Sequence, residues 1–60
     1  MVKIPELTVW QDKQVPKLRV FVRRNVTFRK QAYVWFTYLN DGVRSSMPTA
    51  RLLNEFEEVR

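Results

Sequence analysis

Apolar and polar residues alternate with a period of two over the clearest stretches of this chain, and helical spacing appears only near the C-terminus. In Lys17-Leu18-Arg19-Val20-Phe21-Val22-Arg23 the apolar residues at 18, 20 and 22 alternate with basic ones at 17, 19 and 23. A strand sends successive side chains to opposite faces, so this predicts a strand over 17–24 with a core-facing row backed by a basic outer row. A first strand is expected over 7–10, where Leu7-Thr8-Val9-Trp10 is rich in β-branched and aromatic residues. The polar stretch from Asp12 to Pro16 breaks it, ending in a proline that cannot donate within a ladder. Asn25 to Lys30 reads as a basic loop with Phe28 as its anchor. The third and strongest strand is Ala32 to Leu39. After it, Asn40-Asp41-Gly42 sets the only glycine where a hairpin turn wants positive φ, folding Val43 to Met47 back against the third strand.

Beyond Pro48 the spacing changes. Leu52, Leu53 and Phe56 share one helical stripe that Val59 extends, which predicts a helix over 49–59 with Thr49 as its N-cap. The acidic residues Glu55, Glu57 and Glu58 work against that helix, because its C-terminal end disfavours negative charge. They read as a solvated face. The predicted core is Val9, Leu18, Val20, Val22, Val34, Phe36, Met47, Leu52, Leu53 and Phe56, each worth roughly 1.5–3 kcal/mol when fully buried. The expected fold is mostly β with one C-terminal helix. It is a small antiparallel sheet of three to four strands, with an SH3-like barrel as one form of it, packed on a short helix in a single domain over 1–60.

Charge adds a surface to this fold. Residues 13–30 carry seven basic side chains (Lys13, Lys17, Arg19, Arg23, Arg24, Arg29 and Lys30) and no acidic one, so the formal charge of +5 is made entirely in this segment. Opposite parity to the core places Arg19, Phe21, Arg23, Tyr33, Trp35 and Thr37 on the outer face, with Arg44 and Ser46 joining from the fourth strand. Guanidinium groups beside aromatic rings suit single-stranded nucleic acid, because bases stack on rings and arginines neutralise phosphates. A two-stranded ribbon also enters the major groove of a duplex. The partner-binding candidates are therefore Lys17, Arg19, Phe21, Arg23, Arg24, Arg29, Lys30, Tyr33, Trp35 and Arg44. Their preferred partner is nucleic acid, DNA or RNA.

The same composition fits a protein-binding module or inhibitor docking on an acidic protein surface, since arginine and aromatic residues are also favoured interface anchors. Structural explanations stand beside both. A curled sheet would turn the outer rings into a second core, and basic strands also protect edges from sheet-to-sheet pairing. Trp10, ending a first strand, is read as structural. The unpaired edge of the first strand is a candidate site for a homodimer.

Other classes are disfavoured. The chain has no histidine and no cysteine, which removes the usual acid–base group, disulfides and thiolate metal sites. Ser45 and Ser46 have no histidine base, and one glycine cannot build a phosphate-cradling loop. No enzyme activity and no cofactor are expected. No apolar run approaches the roughly 18 residues of a membrane span, and Met1 to Glu6 lacks the apolar stretch of a secretory signal. A soluble, cytoplasmic protein without membrane partners is the expectation.

The layout resembles small phage- or prophage-encoded proteins of SH3-like or related β-sheet type. Trp10-Gln11-Asp12, the alternating strand, the aromatic run Tyr33 to Tyr38 and the closing Leu52-Leu53-Asn54-Glu55-Phe56 carry the resemblance. No functional residue transfers from it. A three-stranded sheet on a C-terminal helix also resembles the sheet-type DNA-binding domains of some integrases, which implies use of the exposed sheet face.

Overall fold

Five antiparallel strands form one open sheet in the computed structural model, which describes residues 4–59; Met1, Val2 and Lys3 of the N-terminal signal reading lie outside them. The strands are β1 (Thr8–Asp12), β2 (Arg19–Phe28), β3 (Gln31–Tyr38), β4 (Arg44–Pro48) and β5 (Phe56–Glu58), with the helix α1 (Thr49–Glu55) between β4 and β5. Their order across the sheet is β4-β3-β2-β1-β5. The radius of gyration is 10.7 Å, against about 10.4 Å for a compact chain of this length. No helix among the described residues is long and apolar enough to cross a membrane.

The core lies between the inner sheet face, α1 and the N-terminal segment. It comprises Ile4, Trp10, Val20, Val22, Val34, Phe36, Met47, Leu52 and Phe56, with Leu18 and Tyr38 packed at its border. Tyr38 meets Phe36 edge-to-face, ring centroids 5.2 Å apart, a favoured aromatic geometry. One expectation, Val9 in the core, fails at β1 by one residue of parity. Trp10 is buried and Val9 only half-buried, because Trp10 lies opposite Val20 and so shares its inward face. The Trp10 indole N–H donates to Thr8 Oγ1 at 2.9 Å, which satisfies its one polar group. Leu18, expected in the core, is half-buried just before β2 starts.

The expected basic loop over 25–30 is instead the continuation of β2. The strand runs to Phe28, pairs with Gln31, and turns through Arg29 and Lys30 alone. Both have positive φ, 51° and 65°, the signature of a type I′ hairpin turn. Such turns are normally announced by Asn-Gly or Asp-Gly, and Arg-Lys gives no such signal. The second hairpin follows expectation, with Gly42 at φ 76°.

The predicted helix ends four residues early. Phe56 adopts extended dihedrals while its N–H bonds to the Leu52 carbonyl, and the chain continues as β5 against β1. A seven-residue helix cannot stand alone, and it packs here by burying Leu52 while Leu53 points outward at 38% exposure. Pro48, not Thr49, occupies the N-cap position, with no side-chain cap. Pairing of β5 with β1 also closes the edge proposed for a dimer. Gln11 lies opposite Glu57 and donates to its carboxylate at 3.2 Å.

The main irregularity is in β2. Its register against β3 runs Val22↔Phe36 and then Arg24↔Trp35, so Arg23 is an extra residue in a β-bulge. Beyond this bulge the parity reverses: Asn25 lies opposite the inward Val34, and Val26 opposite Tyr33. Pairing with β1 stops at the same place, the last pair being Thr8↔Val22. The segment before β1 takes over there. Leu7 N–H donates to the Val22 carbonyl at 2.8 Å, Asn25 N–H donates to Glu6 Oε2 at 3.0 Å, and the Asn25 side chain exchanges two hydrogen bonds with the Ile4 backbone.

Candidate functional site

The bulge decides which arginines converge. In a regular strand two consecutive side chains point to opposite faces. With the extra residue in place, Arg23 and Arg24 both line one groove of about 620 Å3, together with Trp35, Phe36, Arg44, Ser45 and Ser46. The groove spans three strands. Trp35 on β3 stands in the middle, with Arg24 of β2 opposite it on one side and Ser46 of β4 on the other. Arg44 enters from the β4 edge, two residues before Ser46.

Trp35 is 49% exposed, so its ring is available to a ligand and is not part of a second core. Arg23, Arg24 and Arg44 are exposed as well. No acidic residue lines the groove. The one ion pair among the described residues is Arg51 Nε to Glu55 Oε2, 2.9 Å long, on α1. Three guanidinium groups therefore surround one aromatic ring without a carboxylate partner. The acids Glu57 and Glu58 lie on β5 at the opposite edge of the sheet from β4, about 19 Å away at four strand spacings.

The remaining candidates divide into two groups. Phe21 and Tyr33 are half-buried on the outer face, in the rows Val9–Phe21–Thr37–Arg44 and Val26–Tyr33–Pro48 that flank Trp35. The Tyr33 hydroxyl donates to Gln31 Oε1 at 3.3 Å. Neither ring lines the groove. Arg19, Lys17, Arg29 and Lys30 are exposed but lie outside it. Arg19 opens β2, and Lys17 sits in the loop before it. Arg29 and Lys30 form the hairpin turn, about 16 Å beyond Arg24 at strand rise; the Arg29 guanidinium stacks on exposed Phe28, 5.2 Å from its ring centroid.

Parity alone paired Arg23 with Trp35 and left Arg24 as an addition; the bulge makes them equal contributors. Ser45 and Phe36 were not expected at the site. Both have inward parity, lying opposite one another on β3 and β4, yet both line the groove. Chemically the arrangement offers exposed cations, one stacking surface and the Ser46 hydroxyl. It offers no group for proton transfer. Comparison with protein-family models, with curated proteins and with solved structures finds no match for this chain.

Proposed function

We propose that the protein is a non-enzymatic nucleic-acid-binding accessory module that works through the arginine–tryptophan groove of its sheet. One observation carries the reading: Arg23, Arg24 and Arg44 converge on half-exposed Trp35 with no carboxylate among them. Leaving cations unpaired around a ring has no stabilising effect on the fold, whereas a phosphate satisfies the guanidinium forks and a base satisfies the ring. Arg19, Arg29 and Lys30 extend the positive surface along β2 and add to general attraction. A strand order in which a helical turn leads into a last strand beside the first also fits a small SH3-like barrel. A phage or prophage origin rests on the sequence resemblance alone. A cytoplasmic setting belongs to the same proposal.

The test is fluorescence anisotropy of labelled single- and double-stranded DNA and RNA, titrated at about 50 and about 200 mM salt, where counterion release separates binding modes. Three phosphates at the groove give a log–log slope of about −2 on single strands and about −2.7 on duplex. Arg23→Ala with Arg24→Ala is expected to flatten the single-strand slope by about 1.4. An unchanged slope would refute the groove as the site. No binding at micromolar protein in low salt would refute nucleic acid altogether, and capture of one acidic protein would then favour the docking alternative, with salt acting mainly on its association rate.

A further inference from the structure

The groove's dimensions and the orientation of its parts narrow the partner, on the reading that it binds nucleic acid. We infer that it takes a single strand, with one unstacked base laid on Trp35 and its neighbouring phosphates held by Arg23 and Arg24 on one side and Arg44 on the other. Three features lead there. The first is Trp35, whose half-exposed ring lies between flanking strands and does not project from a tip. A ring so placed is useful to a ligand that offers a base face, and in a duplex every base face is covered by its neighbours.

The second feature is width. Arg24 and Arg44 stand on strands either side of β3, so the backbones that carry them are about 10 Å apart at two strand spacings. A duplex is wider than that gap, whereas a single backbone passes between the walls. The third is volume. At about 620 Å3 the groove falls within the roughly 300–1,000 Å3 of sites for small ligands, enough for one base with its sugar and adjoining phosphates. The Ser46 hydroxyl at the β4 wall, on the residue opposite Trp35, adds a donor and acceptor for a base edge or sugar.

The experiment uses the full chain with Trp10→Phe, which leaves Trp35 as the one tryptophan. It is titrated with short oligothymidylate, the matching oligouridylate, an abasic strand of equal length and a blunt duplex. Single strands are expected to quench Trp35 emission and to bind at least ten-fold more tightly than duplex at equal phosphate. The abasic strand should bind without quenching. DNA against RNA is read from the thymidylate and uridylate arms. In the unmodified background, Trp35→Ala is expected to weaken single-strand binding about 5- to 150-fold with the salt slope unchanged, and Trp35→Phe to retain most of it. Equal affinity for duplex and single strand, or a Trp35→Ala variant that is folded by circular dichroism and binds as well as the parent, would overturn this inference and leave the broader function standing. Failure of every probe to bind would overturn both.

Discussion

Replacing Asn25 by alanine tests how the domain closes its core beside the bulge. The Asn25 amide accepts from Ile4 N–H at 3.1 Å and donates through Nδ2 to the Ile4 carbonyl at 2.6 Å. It thereby acts as one residue of an extra strand, holding a segment that β1 pairing no longer reaches. What it secures is Ile4, which is 2% exposed. Two hydrogen bonds are worth about 1–3 kcal/mol together. Burial of the isoleucine contributes about 1.5–3 kcal/mol more, opposed by about 1–2 kcal/mol of backbone entropy for each residue held. The attachment is thus close to balanced, and removing the amide tips it toward release. Asn25→Ala is expected to destabilise by about 2 kcal/mol, a large share of the roughly 3–9 kcal/mol available to a chain of this size. That corresponds to a fall in Tm of about 8–16 °C.

Urea denaturation of Asn25→Ala, Ile4→Ala and the double variant separates this mechanism from a general loss of packing. If Asn25 acts by holding Ile4, the two substitutions remove one shared contribution and the double variant falls short of their sum by about 1 kcal/mol or more. Ile4→Ala alone is expected to cost about 2–4 kcal/mol. Additivity within about 0.5 kcal/mol would refute the coupling. So would an Asn25→Ala variant with unchanged midpoint.

Two further variants separate stability from binding. Arg29→Asn with Lys30→Gly installs the turn pair that positive φ at both positions favours; it should raise Tm by about 4–8 °C for a gain of about 1 kcal/mol while removing at most about 1.4 from the single-strand salt slope, and a fall in Tm would refute the turn assignment. Thr37→Val removes a hydroxyl whose buried oxygen has no hydrogen-bond partner among the described residues; it is expected to stabilise by about 1 kcal/mol in chemical denaturation, and destabilisation would show that the hydroxyl is satisfied.

How much of this was legible depended on whether each device leaves a local mark. The two central strands show it in their alternation, and Gly42 marks its turn, so the sheet and seven of the ten expected core residues, from Val20 to Phe56, emerge from pattern alone. The fifth strand left no such mark. Phe56-Glu57-Glu58 continues a helical stripe as plausibly as it starts a strand, and only the vacant edge of β1 decides between them. Ile4 was invisible for a similar reason: nothing in its own neighbours places it, because its partner is Asn25, 21 residues away. At the site, residue types were legible and their grouping was not. Arg23, Arg24, Trp35 and Arg44 were all candidates, but so were six residues that line no part of the groove.

The grouping follows from a conflict written into β2. Val20 and Val22 face inward, so an unbroken strand would turn Arg24 inward next and bury its charge without a partner, at a cost of several kcal/mol. It would also send Asn25 outward, away from Ile4. One extra residue resolves both problems. Parity reverses after Arg23, Arg24 turns out beside Trp35, and Asn25 turns in to capture the segment that completes the core. The bulge also frees Arg23 to share the groove with Arg24, which a regular pleat forbids. The doubled arginine wall and the closure of the core are therefore consequences of a single irregularity. Deleting one residue there would undo the site and the fold together, whereas charge-removing substitutions at Arg23 and Arg24 act on the site alone.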